Sequence, residues 1–191
     1  KDGYCRTAAE KLLHAERGTV LLTTGFYVAG YAETDGPLGT VAVAEALNQL
    51  GFHSVVVTDK YCKGFFELKQ LDVEYVDIAA DEQVYEDILD KYNPVYMISI
   101  ERCGENAEHE YANMRGVSIT SETAAIDNLF ELAPEKHIPT IGVGDGGNEI
   151  GMGNVKDIIS EKLELNPCVV PVDDLIIATT SNWGAYALTA W

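Results

Sequence analysis

Six short runs rich in Val, Ile, Leu and Thr recur along the chain, most of them without strict alternation of apolar and polar positions. Strands that are covered on both faces show this continuous pattern. The predicted strands are residues 19–23, 54–58, 74–78, 95–100, 140–143 and 175–179. The pattern therefore favours strands buried in the centre of a domain.

Between these strands, apolar residues recur at the three- and four-residue spacing of helices that bury one face. The four stripes are Val43, Leu47 and Leu50; Tyr85, Ile88, Leu89 and Tyr92; Ile126, Leu129, Phe130 and Ala133; and Val155, Ile158, Ile159 and Leu163. Strands that alternate with such helices predict right-handed crossovers and a parallel sheet. The prediction of a crossover helix is weakest for residues 60–72, because this segment is barely long enough to hold one. We predict an α/β fold, a Rossmann-like three-layer domain with a mostly parallel sheet.

Length and charge narrow the classes of function. At 191 residues the chain suits one domain, residues 1–191, and because it starts at Lys1 and stops in an apolar stretch we expect a piece of a longer chain. The net charge of −18 disfavours nucleic acid as a partner, because phosphate contacts need Lys and Arg. No apolar run approaches the roughly 20 residues of a membrane helix. A small molecule is the expected partner, and the sequence leaves a homo-oligomer open.

Cysteine usage indicates a reducing compartment. The four cysteines, Cys5, Cys62, Cys103 and Cys168, lie tens of residues apart and form no CxxC pair. Neither a disulfide framework nor a structural zinc site is therefore signalled. We expect a cytoplasmic protein, or one of the mitochondrial matrix if the chain comes from an animal.

The residues that follow the predicted strands are unusually polar and rich in glycine. In open parallel sheets, ligands bind outside the carboxyl ends of the strands. Six carboxylates come after the strands: Glu33, Asp35, Asp59, Glu101, Asp145 and Glu149. The sequence therefore predicts an acidic site at one edge of the sheet.

Carboxylates that converge in space call for a cation, because like charges raise one another's pKa. Hard oxygen ligands suit Mg²⁺, Mn²⁺ or Ca²⁺ rather than zinc or copper. The alternative is that acidic residues of so negative a chain lie on solvated faces or cap helices. Asp145 and Glu149 favour function, because they lie among five glycines that permit unusual backbone conformations and close ligand approach.

A formal GxGxxG at Gly142, Gly144 and Gly147 does not predict dinucleotide binding. Asp145 lies inside this motif and would repel a pyrophosphate, and too little chain follows to complete such a domain. No GxxxxGK[ST] loop and no GxSxG elbow occurs. The sequence therefore gives no support to a P-loop NTPase or a serine hydrolase.

Other candidate residues have competing interpretations. Arg102 and Arg115 lie where a guanidinium can hold a substrate carboxylate, or each can pair with acidic neighbours. Asn113 offers an amide contact or a turn, and Cys103, with no histidine placed as its base, is predicted to be a buried free thiol. The histidines are interpreted as surface or capping residues: His14, His53, His109 and His137.

Five motifs in a fixed order resemble one family. They are GFYVAGYAETDGPLG, ERCGENA, YANMRG, IPTIGVGDGGNEIGMGNV and TTSNWGAYAL. Together they are similar to the C-terminal, glutamate cyclase-like domain of the D-glutamate cyclase family, over residues 8–191. GDGGNEIGMG is highly specific, whereas ETDGP alone is moderately so.

The resemblance implies a lyase that converts D-glutamate to 5-oxo-D-proline and water. The residues that match its motifs are Glu33, Thr34, Asp35, Gly36, Glu101, Arg102, Asn113, Arg115, Asp145, Gly146, Gly147, Asn148, Glu149, Ser181, Asn182 and Trp183. As our inference, the catalytic residues are Glu33, Asp35 and Glu101. The expected substrate-binding residues are Thr34, Gly36, Arg102, Asn113, Arg115, Gly146, Gly147, Ser181 and Asn182.

A divalent cation, Mn²⁺ or Mg²⁺, is the expected cofactor, because it would polarise the substrate's side-chain carboxylate and stabilise the developing oxyanion. Its expected ligands are Asp35, Glu101, Asp145, Asn148 and Glu149. Two other classes stay open on the same acidic edge: a Mg²⁺- or Mn²⁺-dependent phosphatase or other small-molecule hydrolase, and a non-catalytic binding module.

Overall fold

A computed structural model describes residues 3–163 and 165–191 of the chain. Six strands form one sheet: β1 (Thr19–Gly25), β4 (His53–Asp59), β5 (Asp72–Val76), β6 (Tyr96–Arg102), β7 (Thr140–Gly144) and β8 (Asp174–Ile177). Two short antiparallel strands, β2 (Tyr27–Val28) and β3 (Tyr31–Ala32), form a separate hairpin. The sheet is parallel throughout, in the order β5-β4-β1-β6-β7-β8. All six predicted strands are confirmed, with ends shifted by no more than two residues.

Helices cover both faces of the sheet and complete three layers. They are α1 (Tyr4–His14), α2 (Pro37–Gln49), α3 (Gln83–Tyr92), α4 (Asn128–Leu132), α5 (Lys156–Leu163) and α6 (Ser181–Thr189). Alternate strand residues bury opposite faces: Val20 and Leu22 pack with α1, α2 and α6, whereas Leu21 packs with α3, α4 and α5. The predicted α/β fold with three layers is therefore confirmed.

The strand order reverses direction between β1 and β6. From β1 the chain continues outward to β4 and β5, and from β6 it continues the opposite way to β7 and β8. In doubly wound sheets of this order, the crevice at the carboxyl ends of these two central strands is the usual ligand site. The fold thus directs attention to the segments after β1 and β6.

The structure differs from the predicted pattern in two places. The helix of the fourth apolar stripe is present as α5, but the expected burial of its apolar face is wrong, because Ile158 and Leu163 are 61% and 56% exposed and only Ile159 of α5 is buried. Residues 60–72 hold two single-turn 3₁₀ segments, Lys60–Cys62 and Glu67–Lys69, in place of a crossover helix. Among the described residues, no helix is long and apolar enough to cross a membrane.

Candidate functional site

Three carboxylates from three separate segments of the chain converge at the carboxyl edge of the sheet. Asp35 precedes α2, Glu101 is near the end of β6 and Asp145 directly follows β7. Each offers an oxygen atom, and these oxygens all lie within 4.8 Å of one another. The predicted convergence of the loops that carry these three residues is confirmed.

Glu101 is aimed into the site by a bulge in β6. Thr24 pairs with Ile100 and Gly25 with Arg102, so Glu101 has no partner in the register between β1 and β6. Its φ of 50° is in the left-handed region, an unfavourable conformation for a residue with a side chain. Bulges re-aim side chains in this way beside functional sites.

Asp35 occupies the N-terminus of α6. Its Oδ2 accepts the backbone N–H of Ser181 at 3.0 Å, and its Oδ1 accepts that of Asn182 at 2.7 Å. The Ser181 hydroxyl donates to Oε2 of Glu101. Because helix N-termini favour negative charge, α6 holds two members of the carboxylate group in place.

The Asn182 side chain holds both the loop before α2 and the first turn of α2, and all its hydrogen bonds are to backbone groups there. Its Oδ1 accepts the N–H groups of Gly36 at 3.0 Å and Gly39 at 2.7 Å, and its Nδ2 donates to the Thr34 carbonyl at 2.9 Å. Gly36 has a φ of 92°, and an added Cβ would lie 2.6 Å from Thr24 Oγ1. We therefore assign Asn182 and Gly36 to positioning the loop.

Glu149 shapes the glycine-rich turn from within. Its carboxylate is fully buried and accepts the backbone N–H groups of Asp145, Gly146 and Gly147 at 3.0, 2.5 and 2.6 Å. The structure does not place it in the convergent group. Those N–H groups are consequently not free for a substrate, nor for the pyrophosphate that a GxGxxG turn would hold.

Partial loss of solvation and mutual repulsion make these carboxylates harder to ionise. Desolvation, with Glu149 and Asp145 as the main neighbouring charges, raises the pKa of Glu101 well above its ordinary value. Desolvation and the charge of Glu149 raise the pKa of Asp145 to about 7. Burial and the charge of Asp35 also raise the pKa of Glu33. A cation would relieve this repulsion.

A cleft of about 410 Å³ opens above the carboxylates. Its lining residues are Phe26, Val28, Glu33, Asp35, Glu101, Asn113, Met114, Arg115, Asp145 and Asn148. Asn113 Oδ1 accepts the N–H groups of Arg115 and Val117, and Asn148 Nδ2 donates to the Ala112 carbonyl at 2.8 Å. The cleft therefore combines an acidic floor with an arginine at its rim.

Arg102 is not at this cleft, which corrects the expectation that it binds substrate. Its guanidinium is buried, pairs with Asp59 at 2.6 Å and donates to the carbonyls of Gly25 and Ala124. The Asp59 carboxylate is committed to this pair as well. Arg115 is exposed at the cleft, and among the described residues it forms no ion pair.

The remaining sequence candidates lie outside the cleft. Cys103 is a buried free thiol, as predicted, and burial raises its pKa well above the ordinary value. Trp183 is 66% exposed on α6. The surface interpretation of the histidines is confirmed, because all four are exposed: His14, His53, His109 and His137.

Sequence reasoning missed the apolar walls of the cleft. Phe26, Val28 and Met114 line it, yet none belongs to a periodic stripe. Val28 and Met114 are 48% and 51% exposed. They therefore do not contribute to the periodic pattern by which buried apolar residues are recognised in a sequence. Their one sequence signal is that they lie inside two of the quoted motifs, GFYVAGYAETDGPLG after β1 and YANMRG after β6.

A larger cavity, of about 900 Å³, lies at the opposite edge of the sheet. Two of its three acidic residues are already used: Asp173 accepts both the N–H and the hydroxyl of Thr140, and Asp174 pairs with Lys11 at 2.7 Å. The third, Glu131, is a single exposed carboxylate at the edge of this cavity. The acidic cleft at the carboxyl edge is therefore the better candidate site.

Comparison with known proteins points to one family. The family described as D-glutamate cyclase-like, C-terminal, matches residues 1–191. The human protein named D-glutamate cyclase, mitochondrial, is 34% identical over 208 residues, covering 95% of this chain and 33% of the human protein. The chain thus spans about a third of the length of this curated relative.

Solved structures resemble the chain only weakly. UDP-glucose 4-epimerase from Brucella ovis in complex with NAD has a TM-score of 0.44 and 14% identity, covering 78% of this chain and 49% of that chain. The enzyme WbmG from Bordetella bronchiseptica in complex with NAD has a TM-score of 0.44 and 12% identity, covering 93% and 49%. At TM-scores of this size, neither likeness carries an argument about ligand or function.

Proposed function

The chain belongs to the D-glutamate cyclase-like family, and from that premise we propose that it is a metal-assisted lyase converting D-glutamate to 5-oxo-D-proline and water. The observation that carries the proposal is the group of three carboxylates, Asp35, Glu101 and Asp145, on the floor of a cleft with an arginine at its rim. The family match and this geometry support the proposal independently.

The carboxylate group fits a divalent cation. It supplies only oxygen donors, the type that Mg²⁺ and Mn²⁺ prefer, and desolvation with repulsion raises the pKa of Glu101 and Asp145 in the protein alone. Asp35, Glu101 and Asp145 would hold the ion. When bound, it supplies Lewis-acid polarisation of the substrate's side-chain carboxylate, which is otherwise a poor electrophile.

Glu33 is the better-placed base. It lines the cleft, and its side chain has no hydrogen-bond partner among the described residues, whereas both oxygens of Asp35 accept backbone N–H groups of α6. Its raised pKa makes it a stronger proton acceptor than an ordinary carboxylate. We assign to Glu33 the removal of a proton from the substrate's α-ammonium group.

Arg115 and Asn113 are assigned to the substrate's α-carboxylate. A guanidinium is suited to bidentate recognition of a carboxylate, and Arg115 lines the cleft above the acidic floor. In a chain with a net charge of −18, such a group offsets the repulsion of an anionic substrate. Arg102 is excluded from this role by its burial and its pairing with Asp59.

The proposed reaction balances without a further reactant. The α-nitrogen forms a bond to the side-chain carboxyl carbon, and one carbon–oxygen bond of that group breaks. The nitrogen gives up two protons in passing from ammonium to amide, and the departing oxygen leaves with two protons as water. Glu33 accepts the first of these protons at its carboxylate.

The test is to follow 5-oxoproline formation from D- and L-glutamate, with and without Mn²⁺. We expect turnover of D-glutamate that needs the metal, and loss of detectable turnover in Asp145→Asn. Glu33→Gln should lower the rate by about 10² to 10⁴, the usual contribution of a general base. Glu135→Gln, which removes an exposed charge away from the cleft, is the matched control and should keep wild-type activity. A folded, metal-loaded wild type that forms no 5-oxoproline from either enantiomer would overturn the proposal.

A further inference from the structure

A small hairpin overhangs the acidic floor of the cleft. Ala112 and Ser118 pair as an antiparallel bridge, and Asn113 closes the turn by donating its N–H to Val117 and accepting that of Gly116. The Ala112 carbonyl accepts the side-chain amide of Asn148 at 2.8 Å. We call residues 112–118 the overhanging hairpin. Its hydrogen bonds make it a fixed wall of the cleft.

Met114 at the tip of this hairpin lies against the backbone of the glycine-rich turn. A Cβ added to Gly146 would come within 2.7 Å of Met114 Sδ. The φ of Gly146 is not in the left-handed region, so backbone conformation does not demand glycine there. Among the neighbours of an added Cβ, the Met114 sulfur is the nearest, so the absence of a side chain at Gly146 leaves room for Met114.

This inference rests on the proposed function: we propose that Met114 is a specificity-determining residue that packs against the methylene segment of the substrate. Gly146 provides the space that Met114 occupies. Glutamate presents two charged ends joined by an apolar segment. The cleft matches this with carboxylates and Arg115 for the ends, and with Phe26, Val28 and Met114 as apolar walls. Met114 is 51% exposed without ligand, so the contact would bury apolar surface that now faces solvent.

The first test replaces Met114 and compares substrates. Met114→Ala is expected to raise the KM for D-glutamate roughly tenfold, the usual effect of a missing apolar contact in a pocket, with a much smaller change in kcat. The volume-conserving Met114→Leu should restore KM to nearly the wild-type value. Met114→Ala should also reduce the preference for D-glutamate over D-2-aminoadipate, which is one methylene longer.

A double-mutant cycle tests the role of Gly146. Gly146→Ala should raise KM in the wild type by pushing Met114 aside, and add little in the Met114→Ala background, because the displaced group is already gone. The same added Cβ would also lie 3.0 Å from Glu149 Oε1. Equal effects of Gly146→Ala in both backgrounds would assign the cost to that contact and contradict the role of Met114.

Binding measured by calorimetry separates this inference from the proposed function. If the wild type cyclises D-glutamate and Met114→Ala leaves both KM and substrate preference unchanged, the inference alone is wrong. If the wild type binds D-glutamate in a Met114-dependent manner without forming 5-oxoproline, the proposed reaction alone is wrong. If it binds neither D-glutamate nor 5-oxo-D-proline, both are wrong. The Mn²⁺-induced rise in melting temperature should be the same in Met114→Ala, because Met114 is not a proposed ligand.

Discussion

Replacing Asp145 by asparagine should stabilise the metal-free protein at pH 8. Desolvation and the charges of Glu149 and Asp35 raise the pKa of Asp145 to about 7 in the folded state, and the unfolded chain lacks this repulsion. A group whose folded-state pKa is raised contributes stability at low pH that is lost as pH rises through that value. At pH 8 the ionised Asp145 therefore destabilises the fold, and its neutral isostere does not.

The magnitude follows from the size of the pKa difference. A change from 3.8 to about 7 corresponds to about 4 kcal/mol for a fully buried group. Asp145 is exposed, so solvent screening reduces this to about 1–2 kcal/mol. For a chain of this size, that gain raises the melting temperature by about 2–8 °C.

The assay is thermal and urea unfolding of wild type and Asp145→Asn from pH 8 to pH 4, with Glu135→Gln as the charge-matched control. The advantage of Asp145→Asn should shrink as pH falls and nearly vanish at pH 4, and Glu135→Gln should show little change throughout. Saturating Mn²⁺ should reverse the order, since about 100 times Kd stabilises the wild type by about 2.7 kcal/mol. A metal-free Asp145→Asn that is less stable at pH 8 would refute the repulsion argument, and equal Mn²⁺ shifts in both proteins would refute the metal site.

Three further predictions test the other roles. Gly36→Ala should lower the free energy of unfolding in urea by about 2–4 kcal/mol, because φ is 92° and the new Cβ would meet Thr24, Ile100 and Glu101. A Gly36→Ala protein as stable as the wild type would contradict this close packing. Arg102→Leu should lower the free energy of unfolding by about 3–5 kcal/mol, because it leaves Asp59 buried and unpaired. Arg115→Leu should change that free energy by less than about 0.5 kcal/mol and raise KM. A destabilised Arg115→Leu beside a stable Arg102→Leu with raised KM would reverse their roles. The kcat/KM of the wild type should rise with pH around an apparent pKa above the ordinary range for glutamate, because Glu33 must be ionised and its pKa is raised. If the same rise of kcat/KM with pH persists in Glu33→Gln, it belongs to another group.

The sheet was predictable from sequence because its strands are covered on both faces and read as continuous apolar runs. The helices at the two ends of the chain, α1 and α6, were not predicted, and the stripe of α5 was misread. Ile158 and Leu163 have helical spacing but face solvent, and periodicity alone does not distinguish an apolar face that packs from one that stays exposed. Tertiary contacts decide that outcome.

At the site, the sequence indicated which loops meet but not what each side chain does there. Asp35, Glu101 and Asp145 were correctly expected to lie near one another, because the carboxyl ends of parallel strands share an edge. Arg102 and Glu149 belong to the same motifs, yet both are buried and hold backbone groups in place. A sequence motif indicates which residues belong to the site. The direction of each side chain decides whether that residue faces the ligand or holds the backbone in place.

The carboxylate group is held together by donors from α6, the last helix of the chain. Ser181 and Asn182 give backbone N–H groups to Asp35, the Ser181 hydroxyl bonds to Glu101, and the Asn182 amide fastens the loop that carries Asp35. These contacts join segments that are about 80 to 150 residues apart, so they exist only once the sheet has assembled. Repulsion among the carboxylates is thereby opposed by hydrogen bonds fixed in the fold. It follows that Ser181 and Asn182 act on the reaction by positioning the acidic floor, even though their motif suggested direct contact with substrate.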